Sequence, residues 1–410
     1  MTAVVAFACG GGASTPVPTS GAPTGVSTES NGLGPPAPEL SRIEEHIHVL
    51  SDEIGVRTAG SPEEQEVIEY ARGLFERWGY QVEIQPFEIS SDLLRAASVS
   101  AAGDNIKALT FRGAASGTVT APLVDVGAGG EGEFPSDARG AVVLIQRKDV
   151  RFIDMATRAK AAGAQAVIVA NRDPELFQGG FSEGNDLPFL AIDKRDGEAL
   201  RDRLAAGAVE VTIKVEAPRK LTAHNVIARP EDGKCRTVSG GHYDSVPVSP
   251  GANDNASGAA TVLELARATA AEHRSGDCFV LFSAEEIGLV GSGQFVLHLT
   301  EQERAGVVAV FNYDVVAGTE PVGLIGSRTL AAQADALGNE LGIEARADSL
   351  PEGLSSDHVS FLDAGIPALM LTTHGFARIH TAQDTVVNLE PDHLQDIATL
   401  GFAMLEKVGG

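Results

Sequence analysis

The chain has 410 residues, enough for two domains, and 43% hydrophobic with 21% charged residues is ordinary for a globular protein. With 31 Lys and Arg against 56 Asp and Glu the formal net charge is −25, which excludes nucleic acid as a partner because phosphate binding needs clustered cations. Three cysteines without a Cys-x-x-Cys pair argue against a thiolate zinc site, and no apolar run is long enough to span a bilayer.

Residues 1–8 are small and apolar and lead to Cys9-Gly10. Ala6-Phe7-Ala8-Cys9 is similar to a bacterial lipoprotein processing site, although the apolar stretch is short and lacks a basic start. That resemblance implies an exported protein, cell-surface or extracellular, that meets the membrane only through a lipid anchor at Cys9. Residues 10–38 are almost entirely Gly, Ser, Thr, Pro and Ala. They cannot bury enough apolar surface to offset their ordering entropy, so residues 1–39 are expected to be a leader remnant and a disordered linker.

Folded structure is expected from Leu40. Ser61-Pro62-Glu63-Glu64 reads as a capping box with Pro at the first helical position. Val67, Ile68, Ala71, Leu74, Phe75 and Trp78 follow at helical spacing, Gly79 ends the helix, and 81–89 alternates like a strand. Residues 92–217 change character: β-rich pieces, a strand at 141–145, a helix near 153–162, strands at 166–170 and 187–192, and a helix over 197–205. This order resembles the protease-associated (PA) domain, a small α+β insert, between halves of a larger domain at 40–91 and 218–410. The insert contains no histidine, so it is expected to wall the substrate cleft rather than bind metal.

From His224 strands and helices alternate. Strands are expected at 224–229, 236–241, 278–283, 307–313, 322–326 and 366–371, and helices at 257–271, 289–298, 328–341 and 391–407. This predicts an α/β fold with a mostly parallel, mixed central sheet and helices on both faces. Ligands in such folds collect beyond the carboxyl ends of strands, and the chemistry-bearing residues follow strands here. His242-Tyr243-Asp244 follows 236–241; His242 and Asp244 point to one side, so the imidazole binds a metal while the carboxylate fixes its other nitrogen. Asp254 sits in the small-residue loop 251–258. A buried strand runs into Glu285-Glu286, and adjacent carboxylates resist burial unless cations offset them. Another strand ends at Asn312-Tyr313-Asp314, and Ser356-Asp357-His358 and His380-Thr381-Ala382-Gln383-Asp384-Thr385 complete the set. Each motif alone also reads as a surface pair, a turn or a helix start.

Together and in this order they resemble the co-catalytic double-zinc aminopeptidases, of the secreted bacterial leucyl or aminoacyl type, with glutaminyl cyclases and the transferrin receptor ectodomain as relatives. The resemblance covers 41–408 and implies a phosphorylase/hydrolase-like zinc exopeptidase fold and two Zn²⁺ per chain. His242 and Asp314 would hold one ion, Glu286 and His380 the other, and Asp254 both. Asp244 would support the catalytic imidazole, Glu285 would be the general base, and Asp357, His358 and Asp384 would stand behind the ligands. The Asp254–Asn255 peptide is expected to be cis. Three carboxylates and one hydroxide balance two Zn²⁺, and the mixture of N and O donors suits zinc. The implied substrates are peptides with a free N-terminus. A Tyr that some relatives place near the distal His is absent or comes from elsewhere, since Ile379 precedes His380, and Tyr243 should point away. Open alternatives are a glutaminyl cyclase-type transferase using one zinc, a carboxypeptidase or dipeptidase specificity, and a non-catalytic receptor-like ectodomain. Cys235 and Cys278 lie seven residues before His242 and Glu285, respectively. If their strands are neighbours the sulfurs lie at the end opposite the metals, as a disulfide or as two reduced thiols.

Overall fold

A computed structural model of the chain describes residues 33–181, 183–351 and 354–409; the lipoprotein-like start, Cys9 and most of the expected linker lie outside them. The last residues of that expected linker are instead packed onto the fold. The buried guanidinium of Arg267 donates to the carbonyls of Leu33, Pro35 (2.8 Å) and Ala37 (2.6 Å). Backbone acceptors for a buried charge thus take the place of missing apolar surface.

Helix α1 (Leu40–His48) buries Ile43, His46 and Ile47. Helix α2 (Pro62–Arg77) starts where Ser61 accepts the Glu64 N–H at 3.1 Å, with Pro62 at the first position, and buries Val67, Ile68, Ala71 and Phe75. The Glu64 side chain does not close the expected capping box: it accepts from the N–H of Gly60 (3.0 Å) and reaches into the core. Strand β1 (Gln81–Ser90) then leads to a second unit.

That unit comprises β2 (Ala96–Ala101), β3 (Asp104–Thr110), β4 (Gly117–Asp125), β5 (Val142–Gln146), α3 (Phe152–Ala162), β6 (Ala166–Ala170), β7 (Phe189–Ile192), α4 (Lys194–Ala206) and β8 (Glu210–Val215). Its strands close into a barrel in the order β2-β3-β7-β6-β5-β4-β8. Closure follows from β8 pairing with both β2 and β4, which leaves no exposed edge.

Strand β9 (Lys220–Arg229) returns to pair antiparallel with β1 along its whole length. The rest follows as β10 (Thr237–His242), α5 (Gly258–Ala271), β11 (Asp277–Phe282), α6 (Val290–His298), α7 (Glu301–Gly306), β12 (Ala309–Tyr313), β13 (Val322–Gly326), α8 (Arg328–Leu341), β14 (Ala345–Ala347), α9 (His358–Asp363), β15 (Ala368–Thr372) and α10 (Leu394–Gly409). The helix expected from 391 begins with a 3₁₀ turn, Pro391–His393, and continues as α10 from Leu394. The eight-stranded sheet runs β1-β9-β11-β10-β12-β15-β13-β14. Pairs β10/β11, β10/β12, β12/β15 and β13/β14 are parallel; β1/β9, β9/β11 and β13/β15 are antiparallel. Helix α5 is buried from Gly258 to Thr269 and packs on β10, β11 and β12. The chain leaves β10 for β11 on one side and crosses to β12 on the other. Such a reversal opens a crevice beyond the strands' carboxyl ends.

At the opposite end Cys235 and Cys278 form a disulfide, with Cα atoms 5.2 Å apart. Both lie at the amino-terminal ends of β10 and β11.

Candidate metal centre

Three neighbouring strands deliver side chains into that crevice. His242 is the last residue of β10, Asp314 follows β12, and β11 runs through Ser283 and Ala284 into Glu285-Glu286. The loop before α5 adds Asp254, whose peptide to Asn255 is cis, and the loop after β15 adds His380. The five candidate ligands named from the sequence converge. Asp254 Oδ1 is 3.2 Å from His242 Nε2, and Asp254 Oδ2 is 3.0 Å from His380 Nε2. Asp314 Oδ1 lies 3.4 Å from His242 Nε2, and Glu286 Oε2 lies 3.1 Å from His380 Nε2. His242, Asp254 and Asp314 thus form one group and Asp254, Glu286 and His380 another, each with its ligand-type atoms within 4.8 Å of one another. Glu285 belongs to neither; its Oε2 stands 3.9 Å from His242 Nε2.

The supporting carboxylates differ from expectation. Asp244 was expected to fix the second nitrogen of His242, but His242 Nδ1 lies nearer the Asp244 carbonyl (3.2 Å) than its carboxylate (3.6 Å). The carboxylate instead accepts the N–H groups of Glu285 (3.1 Å) and Glu286 (3.4 Å), because the β11 exit brings those two donors to it. Asp384 accepts the N–H groups of Asn253 (2.8 Å) and Asp254 (3.0 Å), so it shapes the Asp254 loop. Ser356 donates to Asp314 Oδ2 at 2.5 Å and accepts from Asn312 Nδ2 at 2.7 Å. Asp357 and His358 are buried but stand outside both groups. Tyr243 does turn away: its hydroxyl donates to the His224 carbonyl at 2.7 Å.

Two buried charges escaped sequence reading. The Arg57 guanidinium donates to the carbonyls of Tyr243 (2.6 Å), Pro250 and Gly251 (2.7 Å), holding the loop that leads to Asp254. Glu64 accepts the Ser283 hydroxyl at 2.5 Å. The only local signal was the charge density of Arg57 to Glu64, which reads equally well as a helix start.

Electrostatics mark the cluster as cation-seeking. Burial, reinforced by Glu286, Asp314 and Asp357 against the pull of His242, pushes the Glu285 carboxyl well above its usual range. Burial and Asp254 raise Glu286 to about 7, and burial raises Asp357 to about 7 and Asp384 to about 6. Burial lowers His380, but hydrogen bonds to Asp254 and Glu286 outweigh it and bring the group to about 11. Asp314 Oδ1 and Glu286 Oε1 are buried and accept no hydrogen bond among the described residues. Open oxygens on buried carboxylates, beside imidazole nitrogens, are a donor set that suits a divalent transition metal.

A cavity of about 270 Å³ opens on Asp254, Glu285, Glu286 and Asp314; the apolar part of its wall includes Ile287, Leu289, Leu354, Met370, Phe376 and Ile379. A second, of about 780 Å³, shares Arg112, Glu286, Ile379 and His380 with it and is walled by the barrel through Arg147, Phe152 and Phe177. A barrel residue, Glu175, also accepts from Gln383 in the His380 loop at 2.7 Å.

The arrangement has known counterparts. The profile of Peptidase family M28 matches residues 225–405, and that of the PA domain matches 119–200. The chain is 33% identical over 381 residues to aminopeptidase YwaD of Bacillus subtilis, covering 86% of this chain and 81% of that protein. It is 31% identical over 283 residues to the probable lipoprotein aminopeptidase LpqL of Mycobacterium tuberculosis, covering 65% of this chain and 56% of that one. The solved structure of BSAP, a zinc aminopeptidase from Bacillus subtilis, superposes with a TM-score of 0.77 at 30% identity, covering 90% of this chain and 94% of that one. A glutaminyl cyclase from Fimbriiglobus ruber shares the fold, with a TM-score of 0.51 at 17% identity. The length and identity of the YwaD match, with the two profiles, make the conclusion direct: this chain belongs to peptidase family M28 and carries a PA domain.

Proposed function

We propose that the chain is an exported zinc aminopeptidase that removes N-terminal residues from peptides at a site built for two metal ions. The observation that carries this reading is Asp254, whose two oxygens face two different imidazoles, His242 and His380, so that one carboxylate belongs to both ligand groups. His242 and Asp314 would hold one ion, Glu286 and His380 the other, and Asp254 would join them. Bound zinc would supply a Lewis acid and an acidified water.

The protein's own groups do the rest. Glu285, outside both ligand groups, is the base that takes a proton at its carboxylate and hands it to the leaving amine. To accept that proton the carboxylate must be ionised, a state that bound cations would favour over the burial and acidic neighbours that raise its pKa. Asp244 fixes Glu285 and Glu286 through their N–H groups. The surplus of carboxylates attracts the ammonium of a free N-terminus, and the apolar wall of the smaller cavity suits an apolar first side chain. Export fits the Cys235–Cys278 disulfide, which persists in oxidising compartments. No helix among the described residues is long and apolar enough to cross a membrane.

The test combines metal content with substrate choice. Two zinc ions per chain and cleavage of aminoacyl-nitroanilides, but not their N-blocked forms, are expected. Glu285→Gln should keep both ions and lose about 10²- to 10⁴-fold in kcat. One ion per chain, or equal cleavage of blocked substrates, overturns the proposal.

A further inference from the structure

Between β11 and Glu285 stand only Ser283 and Ala284, and buried Ala284 has φ +61°. A residue with a Cβ keeps that conformation only where its flanks are held. Downstream, the Asp244 carboxylate holds the N–H groups of Glu285 and Glu286. Upstream, Ser283 N–H donates to Asn225 Oδ1 at 3.1 Å, and Ser283 Oγ donates to Glu64 Oε1 at 2.5 Å. Helix α6 closes over this point at Gly291, where an added Cβ would stand 2.1 Å from the Ser283 carbonyl oxygen.

Glu64 is a hub rather than a cap. Its Oε1 also accepts the His224 N–H at 3.2 Å and lies 3.2 Å from the Tyr243 hydroxyl, while Oε2 accepts the Gly60 N–H at 3.0 Å. One buried carboxylate therefore ties the start of α2 to β9 and to the exits of β10 and β11. Both N–H neighbours can only donate and Ser283 donates here, so an acceptor-only carboxylate satisfies the site where an amide would bring a donor against donors.

We propose that Glu64 is a positioning residue for Glu285: through Ser283 it secures the left-handed turn at Ala284 and so fixes where the Glu285 carboxylate stands. This rests on Glu285 being the base. His242, Asp254, Asp314 and His380 lie on other segments, and Glu286, which follows Glu285 directly, would be anchored by its ion, so in the zinc-loaded chain loosening the turn should misplace the unanchored base more than the ligands.

The test uses the full zinc-loaded chain and an aminoacyl-nitroanilide. Ser283→Ala and Glu64→Gln should each lower kcat by about 10- to 100-fold, as expected for a reacting group displaced by about 1 Å. KM should stay within about twofold and metal content should be unchanged. Ser283→Thr keeps the hydroxyl and should recover most of kcat. The double variant should be no slower than the slower single variant, because both substitutions break one link. In the metal-free chain, amide exchange over 283–289 should quicken in Ser283→Ala. Normal kcat in folded Ser283→Ala, losses that multiply in the double variant, or unchanged exchange overturns the proposal. Ser283→Ala removes a single oxygen and carries the test if Glu64→Gln fails to fold. Glu285→Gln, run alongside, separates the two readings: an active Glu285→Gln removes the base, whereas an inactive one with active Ser283→Ala removes only the link.

Discussion

Arg57 lies fully buried with its guanidinium spread over the carbonyls of Leu50 (3.3 Å), Gly55 (3.0 Å), Tyr243, Pro250 and Gly251. Burial lowers its pKa to about 10, against the opposing pull of Asp244, Asp384, Asp254 and Glu286, so it stays charged at neutral pH. Gly251 at φ +59° is part of the same arrangement, since a Cβ there would stand 2.4 Å from the Asp254 carbonyl oxygen. Arg57→Lys keeps the charge but loses the planar fork. Three ammonium donors on one atom cannot reach carbonyls on three loops, and buried acceptors left open should cost about 2–5 kcal/mol. Denaturant unfolding should register that loss, and chelator competition should find zinc held less tightly as the Asp254 loop loosens. Wild-type unfolding in the lysine variant removes this role. The charges around Arg57 read as a helix start and do not reveal its role, because its partners at Tyr243 and Gly251 lie 186 and 194 residues away. His242, Glu285, Glu286 and Asp314 were legible for the opposite reason: each ends or closely follows an apolar strand, where polar residues have a place only at the crevice.

At the scale of elements, α1 meets α2 through His46, whose Nδ1 lies 2.6 Å from the Tyr70 hydroxyl and whose ring packs edge-on to Tyr70 and Trp78. Burial, then the charges of Arg42 and Arg267, lowers its pKa from 6.5 to about 4. Between those values the unfolded chain binds the proton and the folded chain does not. His46 therefore contributes its full share of stability above pH 6.5, and that share is lost as pH falls toward 4. The shift corresponds to about 3 kcal/mol over that window. In His46→Gln, which keeps a polar partner for Tyr70, the fall in Tm on acidification should be shallower than in the wild type; parallel curves would exclude His46 as the titrating group. The elements themselves were readable from period and punctuation, as α2 and α8 illustrate, one capped by Ser61 and Pro62 and the other ended by Gly342 in the left-handed region. Barrel closure was not readable, since it depends on β8 pairing with β2, more than a hundred residues earlier, as well as with β4. Nor was the docking of residues 33–39, whose composition carries no trace of the Arg267 acceptors.

Over the whole molecule, chemistry and covalent reinforcement sit at opposite ends of one sheet. The carboxyl ends of β10, β11 and β12 present the candidate metal centre, covered on one side by the barrel. The amino ends of β10 and β11 are joined by the Cys235–Cys278 bridge, which closes a loop of 43 residues. Constraining a loop of that length in the unfolded chain is worth about 4 kcal/mol in the chain-entropy account. Because the bridge acts on the unfolded state, and the crevice is held independently by Asp244, Asp384, Arg57 and Glu64, stability and turnover should separate. Replacing both cysteines by serine should lower unfolding stability by about 2–4 kcal/mol while kcat on an aminoacyl-nitroanilide stays within about twofold. Reductant should shift the unfolding midpoint of the wild type toward that of the double variant and leave the double variant unmoved. A loss of kcat below the unfolding transition would instead mean that strain at the amino ends of β10 and β11 passes through the strands to His242 and Glu285, and the two ends of the sheet would have to be treated as one coupled device.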